Sequence, residues 1–302
     1  MAPKLSIVIA TYNRGQALRR TLDSLARMNV PEHEWELVVV NNNSTDDTSS
    51  VFARFAQTHP HINTKIADEK RQGLSHARNC GIENSQGPYI VLLDDDVEVN
   101  EGFAAAYIGF FDSHPQAAAA GGKVIPLYET GKPKWISSYT ERPIAGTLDM
   151  GEKVRVFTKG YPTGANMAFR RSALEKIGRF DTSLGRTGTA LMGGEEKDMF
   201  ARFSAAGYKT YYVPDAQVLH IIPESKLSPQ YFERIARMCG RSERIRTLSR
   251  SRTAYAAALA GEAFKWGATI VLSAGHIFSG HPSRAKALIV MRYGVTRGLL
   301  GE

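Results

Sequence analysis

Cysteine is scarce in this chain: Cys80 and Cys239 are the only two among 302 residues. Two thiols cannot build a disulfide framework, so small stapled secreted scaffolds are excluded and a reducing compartment, the cytoplasm, is expected. The opening Met-Ala-Pro-Lys lacks the apolar stretch of a secretory signal. Long hydrophobic runs are missing as well. The uncharged stretch from Gly267 to Ser283 is interrupted by His276, His281, Pro282 and several Gly and Ser, a poor composition for a spanning helix. No tract is of low complexity and no repeat of about 20 to 50 residues is found, which removes collagen-like, solenoid and wholly disordered readings. No G-x-x-x-x-G-K-[ST] occurs, and neither of the first two loops after an apolar run carries G-x-G-x-x-G. P-loop enzymes and nicotinamide dehydrogenases are therefore disfavoured. What is present, 43% hydrophobic and 23% charged residues, is the composition of a globular chain with a large core.

The net charge of +8 is unevenly placed: residues 1–223 hold 25 Lys or Arg and 25 Asp or Glu, whereas residues 224–302 hold 13 and 5. The chain accordingly divides into a domain of residues 1–223 and a basic helical extension of residues 224–302. A basic segment fits an anionic partner such as a phospholipid surface, a diphosphate-bearing substrate or a nucleic acid. Nucleic acid is disfavoured, because no binding motif accompanies the charge. Within the extension Arg234, Arg237, Arg241 and Arg244 recur at steps of three, four and three, which stacks them on one helix face beside an apolar stripe of Tyr231, Ile235, Met238, Ile245 and Leu248. Such a helix either packs as an appendage with its charges in water or lies on the cytoplasmic face of a membrane, arginines against lipid phosphates.

The first hundred residues repeat one pattern. Leu5-Ser-Ile-Val-Ile-Ala10 is a short β-branched run, followed by a polar loop and a helical periodicity over Gln16 to Met28. Trp35 to Val40 starts a second unit, with the loop Asn41-Asn-Asn-Ser-Thr45, Ser44 or Thr45 as the expected cap, and a helix over Asp46 to Gln57. Thr64 to Ala67, Leu74 to Asn84 and Tyr89 to Leu93 read as strand, helix and strand. Alternation of this kind implies an α/β architecture, a mostly parallel sheet flanked by helices. Ligands of such sheets sit beyond the carboxyl ends of the strands, on the loops at Thr11 to Arg14, Asn41 to Thr45 and Asp94 to Asp96. Further on, a helix near Phe103 to Phe111, a strand near Gly122 to Leu127, helices at Ser172 to Ile177 and Glu195 to Ala206, and a strand at Thr210 to Val213 are expected. Three helical segments fill the extension, and the stretch up to Thr158 has no clear period.

Asp94-Asp95-Asp96 forces three carboxylates together at the mouth of the sheet, where they need a counter-charge. No Lys or Arg cluster stands beside them in the sequence. Oxygen ligands of this kind suit Mg²⁺ or Mn²⁺ shared with substrate phosphates; the plainer alternative is a solvated acidic turn. The triplet has company. Leu5-Ser-Ile-Val-Ile-Ala-Thr-Tyr-Asn-Arg14, Val39-Val-Asn-Asn-Asn-Ser-Thr-Asp46 and Gly73-Leu-Ser-His-Ala-Arg-Asn-Cys-Gly81 precede it. Gly164-Ala-Asn-Met-Ala-Phe-Arg170, Gly178-Arg-Phe-Asp181 and Gly194-Glu-Glu-Lys-Asp198 with Arg202 follow. In order and spacing these blocks resemble the family 2 glycosyltransferases over about residues 4 to 220.

The resemblance implies a GT-A fold, of the Rossmann-like kind, and inverting transfer from a UDP-, GDP- or dTDP-sugar to a glycan or lipid-linked acceptor in surface-polysaccharide synthesis. Carried over, Thr11, Tyr12, Arg14 and Asn41 would hold base and ribose, with Arg78, Asp94, Asp95 and Asn166 also on the donor. Relatives commonly have Asp where Asn41 stands; Asn43, in place of the usual Gly, tolerates the left-handed backbone region. Asp96, with Asp94 and His220, would hold Mn²⁺ or Mg²⁺, which neutralises the leaving diphosphate. Glu196 would be the general base, with Glu195 and Asp198 as rivals; the same acids also suit the positive end of a helix. Two rival functions stand beside this one. A sugar-1-phosphate nucleotidyltransferase shares the sheet and metal but usually opens with a Gly-rich basic loop that Ala10-Thr-Tyr-Asn-Arg14 lacks. A protein that only binds nucleic acid or an anionic surface would use the extension alone.

Overall fold

The computed structural model describes residues 2–188 and 191–302. Strands β1 (Leu5–Thr11), β2 (Trp35–Asn41), β3 (Asn63–Asp68) and β4 (Tyr89–Asp94) lie parallel in the order β3-β2-β1-β4. Helices α1 (Gly15–Leu25), α2 (Thr48–Thr58) and α3 (Leu74–Asn84) connect them. The apolar side chains of β1, β2 and β4 face two layers by turns, as the period of two requires. Ile7, Ile9, Leu37, Val39 and Val91 pack with Leu18 and Leu22 of α1 and Phe52 of α2. Val8, Val38, Val40, Ile90 and Leu92 pack with Ala77 and Ile82 of α3 on the other side. Strand β3, whose sequence signal is weakest, is the exposed edge.

Beyond β4 the sheet changes character. A short β5 (Val97–Val99) and helix α4 (Phe103–Ser113) lead to β6 (Ala119–Tyr128), α5 (Ser138–Ala145) and β7 (Arg155–Val156). Next come β8 (Asn166–Arg170), α6 (Arg171–Ile177), α7 (Glu195–Ala205) and β9 (Thr210–Ile222). The sheet order continues β4-β8-β6-β9-β5, and the recorded pairings β4–β8, β8–β6, β9–β5 and β7–β9 are all antiparallel. The four strands joined by crossover helices are parallel, β4 meets β8 antiparallel, and the sheet as a whole is mixed. Strand β9 also runs nine residues past the expected Val213, through Pro214 and Asp215 to Ile222.

Ser44 and Thr45 are not caps. The residue before α2 is Asp47, and it is the Asp46 carboxylate that accepts from Thr48 N at 3.1 Å and from Gly15 N at 3.0 Å, serving the starts of α2 and α1 together. Ser44 and Thr45 instead tie the two loops: Ser44 Oγ accepts from Asn13 N, and Thr45 N donates to Asn13 Oδ1.

Two compact units emerge, one of Met1–Pro126, Thr147–Ser183 and Glu195–Ile221, the other of Leu127–Gly146, Leu184–Gly194 and Ile222–Glu302. The second unit is built on α8 (Pro229–Arg250), α9 (Arg252–Phe278) and α10 (Pro282–Leu300). Ser228 caps α8 by accepting from Tyr231 N, and Ser251 caps α9 by accepting from Ala254 N. Its core gathers Ile136, Ile144, Leu227, Phe232, Ile235 and Ala287. Helices α8 and α10 touch backbone to backbone: a Cβ on Gly298 would strike the Arg237 carbonyl, and one on Gly240 the Val295 carbonyl. This close approach shifts the expected stripe: of its members Ile235 is buried, joined by Phe232, Ala236 and Gly240, whereas Tyr231, Met238 and Ile245 are half-buried and Leu248 is 41% exposed. Nor is the arginine face open along its length, because Arg237 and Arg244 are half-buried and only Arg234 and Arg241 are exposed. Among the described residues no helix is long and apolar enough to cross a membrane.

Candidate active site

Strand register sets the base of the site. Thr11, Asn41 and Asp68 stand level at the ends of β1, β2 and β3, and Asp94 pairs with Ala10. The loops after β1 and β2 turn through Asn13 (φ 52°) and Asn43 (φ 64°), left-handed positions that Asn tolerates. Asn42 fixes the next loop, donating to the carbonyls of Glu69 and Arg71 and accepting from Gly73 N.

The carboxylate triplet does have its counter-charges, brought from far along the chain. Arg14 forks onto two of the acids, Nη1 at 2.8 Å from Asp95 Oδ1 and Nη2 at 2.7 Å from Asp96 Oδ2. Burial pushes the Asp95 carboxyl up to about 6, against the pull of Arg14. For Arg14 burial works downward, and the facing carboxylates of Asp95 and Asp96 outweigh it, so the guanidinium is held charged more firmly than usual. The other oxygen of Asp96, Oδ1, lies 3.3 Å from His220 Nε2, in β9 opposite Val97.

Arg78 on α3 is the second cation. Its Nη2 is 3.2 Å from Asp94 Oδ1, and its Nη1 is 2.9 Å from Glu195 Oε1 and 3.5 Å from Glu196 Oε1. Burial disfavours this charge, and Glu196, Glu195 and Asp94 together override the penalty and raise its pKa. One guanidinium therefore joins the end of β4 to the first turn of α7. Gly164 makes room for it, because a Cβ there would meet Arg78 Nη2 and Glu196 Oε1.

The three acids of α7 differ in surroundings. Glu195 is buried against Arg78; Asp198 is bound to Arg202 Nε at 2.9 Å, one turn along the helix; Glu196 keeps 21% of its side chain exposed. Arg202 also donates to the carbonyls of Ile177 and Arg179, which makes the Asp198 pair a brace between α7 and the end of α6. Asn166 stands apart from the expected ligand set. It is fully buried in β8, accepting from Tyr107 OH at 2.6 Å and donating to the Ala216 carbonyl at 2.8 Å, so its amide is engaged inside the protein. Asn41 is similarly committed, accepting from Ser44 N and donating to Asp68 Oδ1 at 3.1 Å. Asp68 was not foreseen, since only the β2–β3 register puts this acid beside Asn41. Tyr12 is half-exposed in the loop after β1.

Among the described residues no group of three or more His, Cys, Asp or Glu side chains is arranged to hold a metal ion. Asp96 and His220 form a two-donor set, of oxygen and imidazole nitrogen, suited to Mn²⁺ or Mg²⁺ when phosphates and water complete the shell.

The α/β fold, with its acids gathered at the strand ends, is that of the GT-A glycosyltransferases, as comparison with solved structures shows. A mannosyltransferase from Pyrobaculum calidifontis, PcManGT, in complex with GDP-Man and Mn²⁺, superposes with a TM-score of 0.62 at 19% identity, covering 98% of this chain and 87% of that one. S. aureus TarS 1–349 in complex with UDP-GlcNAc gives 0.56 at 19% identity, over 78% of this chain and 65% of that one. The profile of glycosyl transferase family 2 matches residues 6–178, and the chain belongs to that family. A curated relative, the succinoglycan biosynthesis protein ExoM of Rhizobium meliloti (strain 1021), is 31% identical over 225 residues, 74% of this chain and 69% of its own length. The glucosyl-dolichyl phosphate glucuronosyltransferase of Haloferax volcanii is 26% identical over 72% of this chain and 69% of its own.

Proposed function

We propose that this glycosyltransferase moves a sugar from a nucleoside-diphosphate sugar to an acceptor hydroxyl with inversion, during assembly of a cell-surface glycan. The observation that carries this is the Arg78 centre, where one buried guanidinium spans Asp94 at the strand end and Glu196 on α7. Glu196 serves as the base. Arg78 holds one of its oxygens, and as the acceptor oxygen attacks the anomeric carbon Glu196 takes up the hydroxyl proton. The bond from that carbon to the diphosphate oxygen breaks on the opposite side, and its electron pair stays on the diphosphate. Asp94 bonds the ribose or the sugar. Arg14, poised on Asp95 and Asp96, brings positive charge to the phosphate side. Asp96 and His220 would hold Mn²⁺ or Mg²⁺, whose chemistry is to neutralise the leaving diphosphate.

GDP-mannose and UDP-GlcNAc in the structural neighbours support a UDP-, GDP- or dTDP-sugar donor, and Mn²⁺ in PcManGT supports the ion. ExoM supports a surface polysaccharide and the Haloferax enzyme a lipid-linked acceptor. A lipid-linked acceptor and a basic second unit agree with a place on the cytoplasmic side of an anionic membrane.

The test is a panel of nucleotide sugars incubated with Mn²⁺ or Mg²⁺. One donor should be turned over, and excess EDTA or Asp96→Asn should abolish most of the turnover. Glu196→Gln should lower transfer by about 10²-fold or more while donor binding persists. If Glu195→Gln were the inactive variant and Glu196→Gln active, the base would be Glu195. Full activity in EDTA would remove the metal from the scheme.

A further inference from the structure

Helix α9 is turned inside out. Over its 27 residues the buried side chains are Glu262, Thr269 and Ser273, all polar, each about 4% exposed. Arg292 of α10 reaches across to Glu262 at 3.0 Å, and Trp266 Nε1 donates to Thr296 Oγ1 of the same helix at 3.0 Å. The apolar residues point the other way: Phe264 is 83% exposed, Ile270 64%, Val271 73%, Ile277 56% and Phe278 92%. Ala260, Phe264, Gly267, Val271, Gly275 and Phe278 follow one another at steps of four, three, four, four and three, a continuous stripe along one side of the helix. A helix in water has the reverse arrangement.

We infer that the outward face of α9 is a membrane-surface element, seated in the boundary between headgroups and acyl chains of an anionic bilayer. The charge around it selects this occupant over a second copy of the chain. From Ser251 to Glu302 the acids are Glu262, buried and paired with Arg292 and Lys265, and Glu302, paired with Arg297, against the basic residues Arg252, Lys265, Arg284, Lys286, Arg292 and Arg297. Lys265 and Lys286 are exposed on α9 and α10. Two such surfaces brought together would set one excess of cations against another. Anionic headgroups supply the missing sign. Since the helix is not apolar enough to span, it lies flat, with Phe264, Val271 and Phe278 inserted and Lys265 at the phosphate level. This inference rests on the anionic-surface reading of the second unit and assigns the contact to α9 rather than to the arginines of α8.

The test uses the full chain and extruded vesicles of phosphatidylcholine with or without about one third phosphatidylglycerol. The wild type should co-sediment with the anionic vesicles and stay in the supernatant with phosphatidylcholine alone. Phe264→Asp with Val271→Asp, both at exposed positions and so without cost to the core, should lower partitioning by about tenfold or more at an unchanged melting temperature. Arg234→Glu with Arg241→Glu should lower it by less than threefold. If the arginine variant abolished binding and the α9 variant did not, the surface reading would stand and the α9 assignment would fall. If no vesicle bound the wild type, both would fall. Sedimentation equilibrium checks the remaining occupant: a dimer in the wild type that the α9 variant converts to monomer would overturn the lipid in favour of a second copy.

Discussion

Removing the Arg78 guanidinium would take from Asp94, Glu195 and Glu196 the one cation that all three share. Breaking a buried ionic group by deleting one partner costs about 3–5 kcal/mol, because the remaining charge has lost its water as well as its pair. Arg78→Met should therefore lower the urea midpoint substantially, and Arg78→Lys should restore part of it, since one ammonium cannot fork toward acids on two elements. An unchanged midpoint in Arg78→Met would mean that these acids are not held together in solution. At this scale legibility followed distance along the chain. The aspartate triplet is contiguous and could be seen directly. The partnership of Arg78 with Glu195 spans 117 residues and that of Arg14 with Asp96 spans 82, so no local pattern announces either. Asn166 shows the converse: its residue type and motif were plain, but the direction of its side chain depends on Tyr107 and Ala216, which only the folded sheet brings near.

Elements are legible where burial follows a regular pattern. The β-branched runs of β1, β2 and β4 declare themselves because both faces of a central strand need apolar side chains. Strand β8 does not, being five residues with Asn at one end and Arg at the other, and α5 lies in the stretch that has no clear period. The contact between α8 and α10 escaped for a different reason. It is made by Gly240, Gly294 and Gly298, and an apolar stripe search counts side chains where this interface depends on lacking them. A large residue at Gly298 has nowhere to go except into the backbone of α8. Gly298→Leu should destabilise the second unit by at least 1–3 kcal/mol, the usual range of an overpacked core, seen as a lower melting temperature by circular dichroism. Tolerance of that leucine would show that the two helices stand further apart than described.

Across the whole molecule, acids and cations balance through residue 223 and diverge after it, and the sequence carries that division openly. It does not show that residues 127–146 and 184–194 group with the last helices, because that grouping is set by packing between segments far apart in the chain. The sheet order has a consequence for synthesis. Strand β4 acquires its outer neighbour only when β8 has been made, some 76 residues later by the numbering of Asp94 and Arg170. At ribosomal speeds of about 5–20 residues per second this leaves the Ile90-Val-Leu-Leu93 edge without a partner for roughly 4–15 s, a period in which it can pair with another nascent chain. A fragment ending at residue 160 should therefore collect in the insoluble fraction on expression while the full chain remains soluble. Recovery of that fragment as a soluble monomer would show that the four parallel strands protect the edge unaided. The strand that completes the fold thus also governs when the growing chain becomes safe from aggregation.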